Sequence, residues 1–202
     1  MKVTRAQAEE NRRKVVQAAG RLFREHGFDG VGLNEVMGAA GLTHGGFYKQ
    51  FASKEDLVAE ACERALADSV DKWAHVVAGA GDGALSALVR HYLSPSHRDR
   101  IGEGCALAGL GPDAVRHDPA LRSRFEAGVR SHAGVLERAM QATPGSGHGA
   151  DPSQDALAAF STMLGALVLS RMVEDDALSR RILEAAATSL LARAGTRAKG
   201  RP

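Results

Sequence analysis

Aromatic side chains are scarce in this chain of 202 residues: they make up 4% of it, with one Trp and two Tyr, while hydrophobic residues as a whole reach 44%. Alanine and leucine carry most of that hydrophobicity, which favours helix over strand. Cysteine is nearly absent. Cys62 and Cys105 cannot build a disulfide framework. No apolar run reads as long enough to cross a bilayer and nothing resembles a signal peptide, so a soluble cytoplasmic protein is expected, with no membrane partner. Catalytic signatures are lacking too. There is no nucleophile elbow and no dinucleotide fingerprint, and the glycine-rich stretch 79–83 has neither a preceding strand nor a following Gly-Lys-Ser/Thr. The eight histidines show no ligand spacing with carboxylates or thiols. The expectation is therefore a non-enzyme with no metal and no cofactor.

Net charge is low, at +2, but unevenly placed. Residues 1–54 hold nine Lys or Arg against five Asp or Glu, and the remainder holds 17 against 19. The basic end is also the end that carries a distinctive short helix.

The N-terminal quarter has its own organisation. Residues 1–8 read as a loose basic arm. Residues 9–26 read as a helix, with Val15, Ala18, Ala19, Leu22 and Phe23 at three-and-four spacing and Gly27 as its stop. A short helix over 33–40 turns Leu33 and Val36 inward. Gly41 makes a turn, and Thr43 is placed to cap a third, very short helix. Phe47 and Phe51 share one face of that helix, and His44, Gly45, Tyr48 and Lys49 share the other. A short helix after a glycine turn, with a cation and a phenol outward, reads as a recognition helix for the major groove.

The rest of the chain is read as helices at 54–77, 84–94, 118–141, 155–172 and 177–193, with a polar loop over 95–104. Residues 105–115 read as short helix broken at Gly109, Gly111 and Pro112, residues 143–153 as a flexible loop, and the tail from Gly195 as disordered. Ser53 caps the helix from 54, and Asp118 the helix whose first turn holds Pro119. The last two helices carry apolar stripes that include Phe160, Leu164, Leu167, Leu183 and Leu190. Their alanines and Gly165 permit close approach, so two hairpins could form a four-helix dimer interface. The alternative is that the hairpin only covers its own domain.

Ala18-Ala19, Leu22-Phe23, Gly27-Phe28, Val36, Ala40-Gly41-Leu42, Gly45, Phe47-Tyr48, Phe51 and Ser53-Lys54-Glu55-Asp56-Leu57 occur together with a spacing that resembles the TetR family of bacterial transcriptional regulators. Three positions depart from its usual pattern: Gly32 replaces a capping hydroxyl, Met37 a small residue and Gln50 a histidine. The resemblance implies an all-α protein. Residues 1–53 would be a three-helix helix-turn-helix domain, 54–194 a helical ligand-binding and dimerisation domain, and 195–202 a basic tail. It implies a homodimer on a near-palindromic operator in double-stranded DNA, with a small-molecule effector and most simply a repressor's role. An activator, a ligand-independent regulator, and a helical enzyme or carrier are the other readings. Thr43, Tyr48 and Lys54 would contact phosphate, and His44, Gly45 and Lys49 base edges; the plain alternative is caps and a solvated lysine. Trp73, Tyr92, Phe125 and His132 would line the ligand pocket, although aromatics at helical spacing also read as core. Cys105, among glycines and close in sequence to Arg98 and Arg100, is either a thiol sensor at that pocket or a buried hydrophobe.

Overall fold

The computed structural model describes residues 4–144 and 151–198, and every regular element among them is helical. The helices are α1 (Arg5–His26), α2 (Leu33–Ala39), α3 (Lys54–Ala80), α4 (Ala84–Tyr92), α5 (Pro95–Asp99), α6 (Ala106–Arg116), α7 (Pro119–Ala142), α8 (Pro152–Met172) and α9 (Asp176–Ala198). Three 3-10 turns join them, at His44–Lys49, Gly81–Gly83 and Ile101–Glu103. The chain forms two compact units. Met1–Asp68 with Ile101–Phe125 make the first, and Ser69–Arg100 with Glu126–Pro202 the second.

In the first unit α1 packs against α2, the 101–103 turn and α6. Its buried stripe is Val15, Val16, Ala19, Leu22 and Phe23, and Phe28 meets Phe23 edge-on at 5.7 Å. The α1–α3 approach is close, since a Cβ on Gly20 would lie 3.6 Å from the Ala61 carbonyl oxygen. α2 buries Val36 and Met37 and packs on the 3-10 segment His44–Lys49. In the second unit α8 and α9 form the hairpin, with α5 on α8 and α4 on α9.

Gly41 ends α2 by a specific closure. Its N–H donates to the Gly38 carbonyl at 3.0 Å, and the Leu42 N–H to the Met37 carbonyl at 2.9 Å. That pattern needs a left-handed residue, and Gly41 has φ +71°. Gly32 at the start of α2 has an ordinary φ of −87° and offers no side-chain cap.

Several boundaries differ from the sequence expectation. Thr4 accepts from the Gln7 N–H at 3.2 Å and starts α1 at Arg5, so residues 5–8 are helix rather than arm. The 95–104 loop contains α5, capped by Ser94 with Pro95 in its first turn, and the 101–103 turn. α6 runs through Pro112 unbroken, because burial of Ala106, Leu107, Leu110 and Ala114 outweighs the missing N–H. α8 starts at Pro152 with Asp151 as cap, and α9 continues to Ala198. Residues 1–3 of the expected arm, 145–150 of the expected 143–153 loop and 199–202 of the expected tail lie outside the described residues.

α8 is also long and apolar enough, by length and composition, to cross a membrane, against the expectation that no segment was. The reason is visible in the hairpin: one arc of α8 is buried within its own unit, while the opposite arc carries Leu157, Leu169 and Met172 exposed. Of the five residues expected at a dimer interface, Phe160, Leu167 and Leu183 are buried in their own unit, and Leu164 and Leu190 are half-buried.

The turn yields a stability prediction. Nothing lies within 4 Å of a Cβ at Gly41, so Gly41→Ala costs only its left-handed backbone, about 1–2 kcal/mol. Gly32→Ser meets open space and regains a cap, so it should stabilise by about 0.5 kcal/mol. Urea midpoints should move in opposite directions for the two variants, with unchanged slopes.

Candidate nucleic-acid interface

The segment His44–Lys49 is a 3-10 turn rather than an α-helix, held at its start by the Gly46 N–H on the Thr43 carbonyl at 3.0 Å. The Thr43 side chain makes no capping bond, contrary to the sequence expectation, because the tighter turn is closed by main-chain atoms. Phe47 is fully buried, Phe51 is 3% exposed, and their rings stack at 5.4 Å. With Phe47 turned inward, Thr43, His44, Gly45, Tyr48 and Lys49 are exposed, and Tyr48 is 67% exposed. The His44 and Tyr48 rings meet edge-on at 6.1 Å.

Lys54, half-buried, opens α3 beside this segment in sequence. Ser53 Oγ accepts from the Asp56 N–H at 3.1 Å. The Glu55 carboxyl is held below its ordinary range by its own main-chain N–H and by the Ser53 hydroxyl. All six residues expected at the DNA therefore lie on exposed or half-exposed positions of one short stretch and the helix start that follows it. Sequence reasoning did not single out Arg12, which lies off the apolar spacing of α1. Arg12 reaches Gln50, Phe51 and Glu60, contacts that no local spacing reveals.

Comparison with known proteins agrees with this geometry. Residues 15–61 match the family described as bacterial regulatory proteins, tetR family, and residues 81–186 match the tetracyclin repressor-like C-terminal domain. The chain belongs to the TetR family. It is 38% identical over 60 residues to the HTH-type transcriptional regulator AcrR of Shigella flexneri, covering 30% of this chain and 28% of that one. Such matches span only about a quarter of those relatives' length. A TetR transcriptional regulator from Chloroflexus aurantiacus is similar over 93% of this chain and 95% of its own, at 27% identity and TM-score 0.78. Reduced NemR of E. coli shares the fold over 89% and 94%, at 23% identity and TM-score 0.76.

The second unit holds a buried aromatic cluster, of which Tyr92, His132 and Phe160 fall within the matched C-terminal region and Trp73 lies before it. Trp73 of α3 meets Tyr92 of α4 at 5.3 Å, His132 of α7 at 4.8 Å and Phe160 of α8 at 5.4 Å, each edge-on. His132 stacks on Phe160 at 5.5 Å. Three expected pocket residues, Trp73, Tyr92 and His132, are thus brought together, and Phe160 joins them. Phe125 and Cys105 belong to the first unit. His132 has both ring nitrogens engaged. A carbonyl can only accept, so Nδ1 donates to Gly128 O at 2.7 Å and Nε2 accepts from Ser69 Oγ at 2.9 Å. Among the described residues no group of three or more His, Cys, Asp or Glu could hold a metal ion.

Cys105 is 2% exposed and sits at the start of α6. The guanidinium whose field reaches both thiols is that of Arg24, which donates to Gly102 O through Nε at 2.7 Å. Arg98 belongs to the second unit and pairs with Asp99 and Asp176. Burial pushes the Cys62 thiol up to about 12, so it stays protonated and inert.

Two histidines of the second unit set a pH response. Burial pushes His97 down to about 4 against a pull upward from the Tyr92 carbonyl, and burial lowers His132 as well. Both rings are neutral when folded. An unfolded chain takes up both protons near pH 6.5, the ordinary value; in the fold His97 does not until about pH 4, and His132 also resists protonation below its ordinary value. Stability should therefore fall as pH drops from about 6.5 toward 4, and His97→Gln should flatten part of that slope in urea titrations at several pH values.

Proposed function

We propose that the protein is a DNA-binding transcriptional regulator that acts in the cytoplasm as a homodimer on a near-palindromic operator, and that it is a repressor released by a small effector. The observation that carries the DNA-binding reading is the exposure of Tyr48, Lys49, His44, Gly45 and Thr43 on a segment whose apolar side is buried through Phe47. A hydroxyl, a phenol and an ammonium suit phosphate, and Lys49 with the glycine backbone suits base edges. Two such segments in one dimer would enter major grooves about 34 Å apart.

The outward arc of α8 supports the homodimer. Leu157, Gly165, Leu169 and Met172 are exposed at helical spacing, and Leu178 of α9 is exposed as well. A Cβ at Gly165 would meet nothing within 4 Å, so a partner helix can come close there. The effector reading draws on the matched C-terminal domain and on the aromatic cluster around Trp73, to which α3 contributes directly. Because α3 also begins at Lys54, an effector that repacks Trp73 would act on the helix that follows the recognition segment. A coupling of about 1–3 kcal/mol suffices for a switch.

The DNA-binding reading is tested with a duplex selected by the wild-type protein from a random-sequence pool. Tyr48→Ala and Lys49→Ala should each weaken binding by about tenfold or more, and binding should fall steeply with added salt. Wild-type affinity in both variants would refute the assignment. The dimer is tested by Leu169→Glu and Met172→Glu. These residues are exposed in the chain, so the variants should fold, sediment as monomers and lose tight binding to the selected duplex.

A further inference from the structure

Arg12 stands on α1 outside the buried stripe, and the sequence offers no reason to single it out. In the structure its guanidinium joins three elements. Nη1 donates to the main-chain carbonyl of Gln50, the residue that closes the recognition segment. Nε and Nη2 grip the two carboxylate oxygens of Glu60 on α3, the former at 3.1 Å. Its central carbon lies 4.2 Å from the centroid of the Phe51 ring, which stacks on Phe47. One planar cation thus ties the C-terminal end of the recognition segment to α1 and α3.

The energetics separate two roles for this group. The Arg12 and Glu60 side chains are 40% and 38% exposed, so as an ion pair they add little to stability. The fork geometry and ring stacking fix direction more than they add energy, and a lysine cannot reproduce them. What they orient is the Gln50 carbonyl, directly after Tyr48 and Lys49. A 3-10 segment with one buried ring can still rotate about that ring, and a bond at its far end removes that freedom.

We propose that Arg12, acting through the Gln50 carbonyl, the Glu60 carboxylate and the Phe51 ring, is a positioning residue that sets the pose of His44–Lys49 and with it the sequence-specific part of DNA affinity. This rests on the recognition reading given above.

The test compares Arg12→Gln, Arg12→Lys and Glu60→Gln with wild type on the selected duplex and on an unselected duplex, across a salt series, with thermal melting as a fold check. Positioning predicts a loss of about tenfold to hundredfold on the selected duplex for Arg12→Gln, as for a misplaced base contact, with little change on the unselected one. It predicts an unchanged salt slope, and only partial recovery in Arg12→Lys. It also predicts that Glu60→Gln weakens binding, whereas a purely electrostatic role predicts tighter binding once a negative charge is removed. The proposal is overturned by any of three results: wild-type affinity in Arg12→Gln, a slope shallower by about one unit, which marks a direct phosphate contact, or tighter binding by Glu60→Gln. Glu60→Gln keeps the inference testable should Arg12→Gln melt early. Lys49→Ala is carried alongside. If it too binds as wild type, the recognition reading has failed; if it is weakened while the Arg12 and Glu60 variants are not, this inference alone has failed.

Discussion

The first unit depends on the burial of one ring. A 3-10 segment of six residues has too few internal hydrogen bonds to hold its own orientation. Phe47 supplies what is missing: its fully buried ring contributes about 1.5–3 kcal/mol and determines which side of the segment faces inward. The exposure of Tyr48 and Lys49 follows from that, not from any preference of their own. Gly41 sets where the segment begins, by closing α2 with a left-handed turn, and Met37 sits under it, with its terminal methyl 3.5 Å from where a Gly46 Cβ would be. The departure from a small residue at position 37 is thereby accounted for as packing.

The second unit meets the opposite difficulty, which is polar atoms inside an apolar core. His132 is fully buried among Trp73 and Phe160, and an unpaired imidazole there would cost several kcal/mol. The helix solves half of this locally, because the Gly128 carbonyl lies one turn back and accepts the hydrogen bond from Nδ1–H. Ser69 solves the other half from α3. His97 repeats the device with the Tyr92 carbonyl at 2.7 Å. A hairpin clamp adds to it: Arg98 bonds Asp176 and Ser179, and Arg171 donates to the His97 and Arg98 carbonyls. The two buried histidines make the stability of this core sensitive to acid.

Much of this was open to reading from the residues alone. Three-and-four spacing in 9–26, 118–141 and the final hairpin marks helices because a helix returns to the same face every 3.6 residues. Gly41, Ser53 and Asp118 mark ends because a left-handed turn and a cap are local chemistry. The pairing of Phe47 with Phe51 was likewise visible, being four residues apart. By itself, then, the sequence determined the helical class, most helix ends and the outward side of the recognition segment, all of which depend on neighbours a few residues away. The tertiary structure decided the rest. It carried α6 across Pro112, turned Phe160 into the aromatic cluster, brought Arg24 to the Gly102 carbonyl and brought Arg12 to Gln50. Each of these is a contact between residues far apart in the chain, whose energy depends on packing and distance, and a one-dimensional pattern contains neither.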